Sequence, residues 1–492
     1  MIRTFWIASA VLFLFTLGFA KPAKDKSTYT IEIDPARNEM RVEADLTLED
    51  GDLRIASIGA NQFERRWAEF IKDVSARDAS GWALKVTETK NGWRLDAEKG
   101  TQARIIYTVR LEHEKHEWSA GIDGAAYVRD WGVFSVGRAF AMMNGTARRD
   151  IELKFRVPKG WKVSASWKKL GDGRFLAADN EDLSESMIFA GRHKEFSIDR
   201  EGFELQFAVG GESADAMQKE FSELATKVLD YYIALMGGLP KPPPGVKFDK
   251  VLVVVNPGSS TDGEVIGNHI SVILDASGDP MGALFSKLIF AHEFFHLWNG
   301  KSIIPESTGE EWFKEGVTNY YTIKALHAAG ALPEGAMFGV LNGLFYQRYS
   351  NDTAYGKGTI PDVSSGDDKH EHWGMIYGGG LFAGICSDVA IRKSSGNRGS
   401  LDEVIVGLFR DYAGTGKEYS RTELLNRLSA ASEPNRGFFE KYVYGAEPVP
   451  IAQCLSDAGL DAKVENGQLM VKRKADESAA EKEMVDAMFG GQ

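Results

Sequence analysis

The chain has 492 residues, a formal charge of −12, and hydrophobic and charged fractions of 43% and 26%. Those fractions belong to globular proteins and exclude a disordered or polytopic membrane chain, and the length predicts roughly two to four domains. An acidic surface repels phosphate backbones, so nucleic acid is not an expected partner.

Residues 1–20 read as a secretory signal: Arg3, an apolar run from Phe5 to Phe19, and a cut after Ala20. This predicts a secreted or periplasmic protein. No later segment reaches the ~18 apolar residues of a membrane helix, so no membrane contact beyond the signal is expected. Residues 28–212 read as an N-terminal β domain, with β-branched and aromatic runs such as Thr28 to Ile33 and Arg104 to Leu111. Turns such as Asn91-Gly92 separate those runs. A helix follows over Ala214 to Met236, then a proline cluster from Pro240 to Pro244, then the buried-type strand Val251 to Val255.

The next helix is predicted to begin at Asp279 as N-cap, with Pro280 in its first turn. It carries His292-Glu293-Phe294-Phe295-His296, and Glu315 follows after eighteen intervening residues. Imidazoles at i and i+4 share one helix face and can reach a single Zn2+ ion. Glu315, on a second helix, would be the third ligand, and a fourth position stays open for water. Glu293 stands where a carboxylate can take the proton of a water polarised by that ion. Ser307 with Glu310 and Thr308 with Glu311 predict capping boxes for the second helix. Asn319, one turn beyond Glu315, is a candidate to hold a ligand imidazole by its other nitrogen. Tyr377, beside Gly378-Gly379-Gly380, is the candidate to stabilise an oxyanion. His370-Glu371-His372 could take a second ion, although a solvated loop is the simpler reading.

Further helices are expected over 334–349, 374–393, 401–412, 420–431 and 435–444, with a charged tail over 461–492 that frays or stands alone. Two cysteines are too few for a disulfide framework. Cys386, in an apolar helical stretch, reads most simply as a small buried hydrophobe, with a bridge to Cys454 as the alternative.

The stretch His-Glu-Phe-Phe-His-Leu-Trp-Asn-Gly-Lys (292–301), followed by Trp-Phe-Lys-Glu-Gly-Val-Thr-Asn-Tyr-Tyr (312–321), resembles the glycyl aminopeptidase family of gluzincin zinc peptidases. Val157-Pro158-Lys159-Gly160-Trp161 and Asp457-Ala458-Gly459-Leu460 are similar to segments of its β and helical domains. The resemblance implies a multidomain α+β fold: the β-rich domain, a thermolysin-like catalytic domain over 213–350, and an α-helical domain over 351–460. It implies one zinc ion, a peptide or protein substrate, and release of small N-terminal residues such as glycine or alanine. It also supports Tyr377 as the transition-state tyrosine.

Two departures from the family pattern stand out. Only about thirty residues follow Leu460, too few for the PDZ-type domain that many members carry. The aminopeptidase branch also grips the substrate amine with a carboxylate on a Gly-Gly-x-Glu-like strand. By distance from His292, Asn268 falls near that slot beside Gly267, and Glu264 is the nearest carboxylate. The alternatives are therefore an endopeptidase of the same fold or a noncatalytic peptide-binding protein.

Overall fold

The structure is a computed structural model that describes residues 27–489, apart from 119–120, 147, 213, 247–249, 260, 276–278 and 366–367. The expected signal segment lies outside the described residues. The N-terminal region is built on an eight-stranded sheet whose central strands are Arg149–Arg156, Thr28–Asp34, Glu39–Thr47 and Gln102–Arg110. Alternation along Glu39–Thr47 buries Met40, Val42, Ala44 and Leu46 and leaves the residues between them on the outer face. Sheets of four and three strands close over that buried face.

A second sheet of five strands carries the catalytic region. Its order is Lys194–Arg200, Phe203–Val209, Lys250–Gly258, His269–Asp275, Asp262–Ile266. This moves the boundary predicted at 212, because Phe203–Val209 pairs in parallel with Lys250–Gly258 and belongs to this sheet. The apolar run Val251 to Val255 is buried on both faces. Val251, Val253 and Val255 pack with the helices, while Leu252 and Val254 join the core of the β domain. Trp131 donates across the same junction to Asn256, which donates to the Tyr127 hydroxyl, both at 2.9 Å. The two cores therefore share one sheet.

The helix Pro280–Phe295 starts as predicted: the Asp279 side chain caps it by accepting from the Gly282 N–H. The second ligand segment departs from prediction. Ser307 makes no side-chain cap, and a π-helical turn over Trp312–Val317 leads into the helix Thr318–Ala328. The acids expected to cap are engaged elsewhere: Glu310 by Trp312, Arg421 and Tyr444, and Glu311 by Lys314 and Lys369. Gly316 then lies against Gly380, where an added Cβ would sit 2.3 Å from the Gly380 carbonyl carbon. No side chain separates these two segments, so their backbones touch.

The helical region and the expected tail share the catalytic core instead of forming separate bodies. Gly374–Ser395 has the length and mean hydropathy (1.4) of a membrane-crossing helix, yet it is 89% buried within the protein. Residues 460–473 form the hairpin Leu460–Glu465 and Gln468–Arg473, and Ala479–Phe489 is a docked helix, not a frayed one. Val485, Met488 and Phe489 are buried, and Tyr320 donates to the Met488 carbonyl at 3.0 Å. The charged composition of that segment describes only its outer face. Cys386 is buried but bonded to Cys454, tying the helix Gly380–Ser395 to Ile451–Asp457.

Candidate active site

His292 and His296 sit at the C-terminal end of the capped helix, and Glu315 faces them from the π-helical turn. One ligand atom from each lies within 4.8 Å of the other two. The His292 Nε2 and His296 Nε2 are 2.9 Å apart, with Glu315 Oε2 at 3.3 and 3.1 Å from them. The other ring nitrogens fix the tautomers. His292 Nδ1 meets the Asn319 side-chain oxygen at 2.9 Å, and His296 Nδ1 meets the Asn299 backbone carbonyl at 2.9 Å. Both Nδ1 atoms therefore donate, so both Nε2 lone pairs and a carboxylate oxygen converge on one point. A proton satisfies that arrangement poorly, whereas a divalent cation with N and O ligands fits it. Burial holds the His292 imidazole down to about 4, ready as a neutral ligand.

The Glu315 carboxylate is divided between two partners. Its Oε2 faces the imidazoles, and its Oε1 accepts from Lys369 at 2.7 Å, with Lys314 at 3.3 Å. Burial would raise its pKa, but Lys369 and Lys314 outweigh burial and hold it well below the usual carboxylate range. Lys369 also bonds Glu311 at 2.6 Å and lies over the Tyr377 ring. Sequence reasoning passed over Lys369, and its only signal was a basic residue beside the histidine cluster at 370–372. Within that cluster, His372 pairs with Asp352 at 2.7 Å, a structural use of the ring.

Glu293 and Tyr377 both line the same cleft of about 770 Å³. Burial pushes the Glu293 carboxyl up to about 8; His296 opposes this, and Glu264, Glu315 and Asp262 add to it. The Tyr377 ring lies 6.0 Å from that of His292 and stacks on Trp373. Asn319, already bonded to His292, reaches the Tyr377 carbonyl at 3.5 Å and so links the two elements.

The edge strand Asp262–Ile266 forms the opposite wall. A Cβ on Gly263 would sit 3.2 Å from Glu293 Cγ, so this strand runs directly over the base. Glu264 lines the cleft, half-buried, with its pKa raised by desolvation and drawn back by Lys369, Lys301 and Arg138. Gly267 and Asn268 do not line the cleft, contrary to their predicted place. They form the turn at the far end of the hairpin, where Gly267 abuts the Glu185 carbonyl. Counting residues from His292 ignored the hairpin. Glu264 stands two residues before the strand ends at Ile266, and the turn then carries Asn268 away while Glu264 fills the slot. Lys301 also lines the cleft, its pKa brought down to about 8 by burial and Lys314, with Glu264 and Glu185 opposing.

The sequence profile of the peptidase M61 N-terminal domain matches residues 28–192, and that of the M61 glycyl aminopeptidase matches residues 286–368. The chain belongs to the M61 peptidase family. M61 membership makes it a peptidase, and the converging imidazoles and carboxylate make it a metallopeptidase. No curated protein is a significant match to the sequence. Among solved structures the chain is similar to an aminopeptidase N family protein from Idiomarina loihiensis. The identity there is 18% and the TM-score 0.75, over 92% of this chain and 82% of that one. It is also similar to the M1 zinc metallopeptidase from Deinococcus radiodurans, at 13% identity and TM-score 0.53, over 87% and 94% of the two chains. Native yeast LTA4 hydrolase matches at 14% identity and TM-score 0.51, over 88% and 70%. These likenesses extend the shared fold across nearly the whole M61 chain.

Proposed function

We propose that the protein is a zinc aminopeptidase that removes small N-terminal residues, glycine or alanine, from peptides. One zinc ion held by His292, His296 and Glu315 would supply positive charge to polarise the scissile carbonyl and the attacking water. Glu293 takes a proton from that water and passes it to the leaving amine. Tyr377 donates to the oxygen that becomes negative as the carbonyl is attacked. The outer side of Asp262–Ile266, an edge strand, pairs with the substrate backbone.

The observation that carries the aminopeptidase reading is Glu264. It is a half-buried carboxylate on that strand, one residue from the glycine over Glu293, placed to accept a free ammonium. The turn Ile122–Gly124 packs against this strand, where a Cβ on Gly124 would sit 3.5 Å from Glu264 Cγ, which leaves little room for a large first residue. Export is part of the proposal: the apolar segment before Ala20 and a buried disulfide both suit an oxidising compartment.

The test compares Ala-Ala-Ala with its N-acetylated form. The free peptide should be cut and the acetylated one spared, with Glu264→Gln losing most of that discrimination. Equal cleavage of both forms by the wild-type protein establishes the endopeptidase reading instead. Glu293→Gln should keep zinc while turnover falls by orders of magnitude.

A further inference from the structure

At one end of the cleft stands a cation that the chemistry above does not use. Arg348, from the helical turn Gln347–Ser350, lines the cleft with Leu344 and Phe345. Its guanidinium lies 4.7 Å over the Trp373 ring, and among the described residues no carboxylate comes within ion-pairing distance of it. The residue is solvent-exposed while still lining the cleft. Arg348 and Glu264, one positive and one negative, line the same cleft as His292, His296 and Glu315.

Stacking fixes the position of the charge. Trp373 lies face to face with Tyr377, at 4.9 Å and 3° between planes, and Phe345 packs against Trp373 as well. Tyr377 lies 6.0 Å from the His292 ring. The guanidinium is therefore within about 16 Å of a ligand imidazole, and extended chain covers about 3.3–3.6 Å per residue. At most about four residues can lie between the reacting carbonyl and a group resting on Arg348. A cleft of about 770 Å³ encloses a ligand of that size, not a folded polypeptide.

We propose that Arg348, held on Trp373, binds the C-terminal carboxylate of the substrate, so that the preferred substrates are free peptides of about three to five residues. The planar fork of a stacked arginine suits a carboxylate, and two oxygens can be met at once. A peptide would then be measured from both ends, with its ammonium on Glu264 and its carboxylate on Arg348. This rests on the aminopeptidase reading above.

The experiment uses the zinc-loaded full chain with three probes: Ala-Ala-Ala, its C-terminal amide, and alanine p-nitroanilide, which is too short to reach Arg348. The free acid should be favoured over the amide by at least about ten-fold in kcat/KM, mainly through KM, as expected for a charge-assisted contact. Arg348→Gln should bring the ratio to about one by raising KM for the acid. Arg348→Lys, which keeps the charge without the fork, should retain part of the preference. Equal rates on acid and amide, or a preference that survives Arg348→Gln, overturn this inference while cleavage of the anilide leaves the aminopeptidase reading standing. Cleavage of the anilide without either tripeptide overturns it too. Failure to cut any of the three overturns both readings.

Discussion

Replacing Lys369 with methionine removes one charge and little volume from the outer side of the ligand triad. The lysine sits 2.7 Å from Glu315 Oε1 and 2.6 Å from Glu311 Oε2, and Glu315 has 4% of its side chain exposed. Losing the sole partner of a buried carboxylate costs on the order of 3–5 kcal/mol. Here Lys314 remains at 3.3 Å, so only part of that is lost. The carboxylate becomes freer to turn, its affinity for protons rises, and both changes compete with metal. Removing a group that orients a metal ligand weakens binding by about 10- to 100-fold. That range corresponds to about 1.4–2.8 kcal/mol. The assay is competition for zinc between the apoprotein and a chelator of known affinity at pH 7, with the unfolding midpoint measured alongside. Lys369→Arg should recover most of the affinity. A folded Lys369→Met protein that binds zinc within two-fold of wild type (roughly 0.4 kcal/mol) would refute this role for Lys369.

Acid should destabilise the protein through buried histidines remote from the metal. Burial holds His269 and His113 down to about 3, so both stay neutral in the fold while the unfolded chain takes up protons below about 6.5. Their contribution is present above that pH and lost as pH falls toward 3, by about 2 kcal/mol each at pH 5. His269→Gln, which can still accept from the Leu252 N–H, should shrink the difference in urea stability between pH 7 and pH 5; an unchanged difference counts against it. Phe489→Ala should cost about 3–4 kcal/mol in equilibrium unfolding, because the ring is buried against Tyr320 and Phe338. A loss under 1 kcal/mol (roughly) would mean that the last helix is as loose as its composition suggests. Replacing both cysteines by alanine should cost about 4 kcal/mol, as the bridge closes a separation of 68 residues; an unaltered denaturation midpoint rejects that.

Local features of the sequence carried the ligand set. A helix with its cap at Asp279 puts His292 and His296 on one face whatever the rest of the chain does, and Asn319 follows from the same arithmetic one helix later. Glu264 was ambiguous because its place depends on where a hairpin turns, and spacing from His292 carries no information about that. Lys369 and Arg348 were invisible for a related reason: each acts on a residue more than twenty positions away, across a contact set by tertiary packing. The last helix was misjudged from its charges. Those charges cover its solvent side, and the three buried side chains that dock it are too few to dominate a composition.

The backbone contact between Gly316 and Gly380 makes the two walls of the cleft unequal. Where main chain rests on main chain, there is no side chain to trade for a larger or smaller one. Around that contact, the segments bearing Glu315 and Tyr377 are therefore a fixed jaw, closed to gradual adjustment by substitution. Drift in the first residue that the protein accepts is therefore left to the opposite jaw, the hairpin of Glu264 and the turn packed on it, where residues can change without unseating the metal.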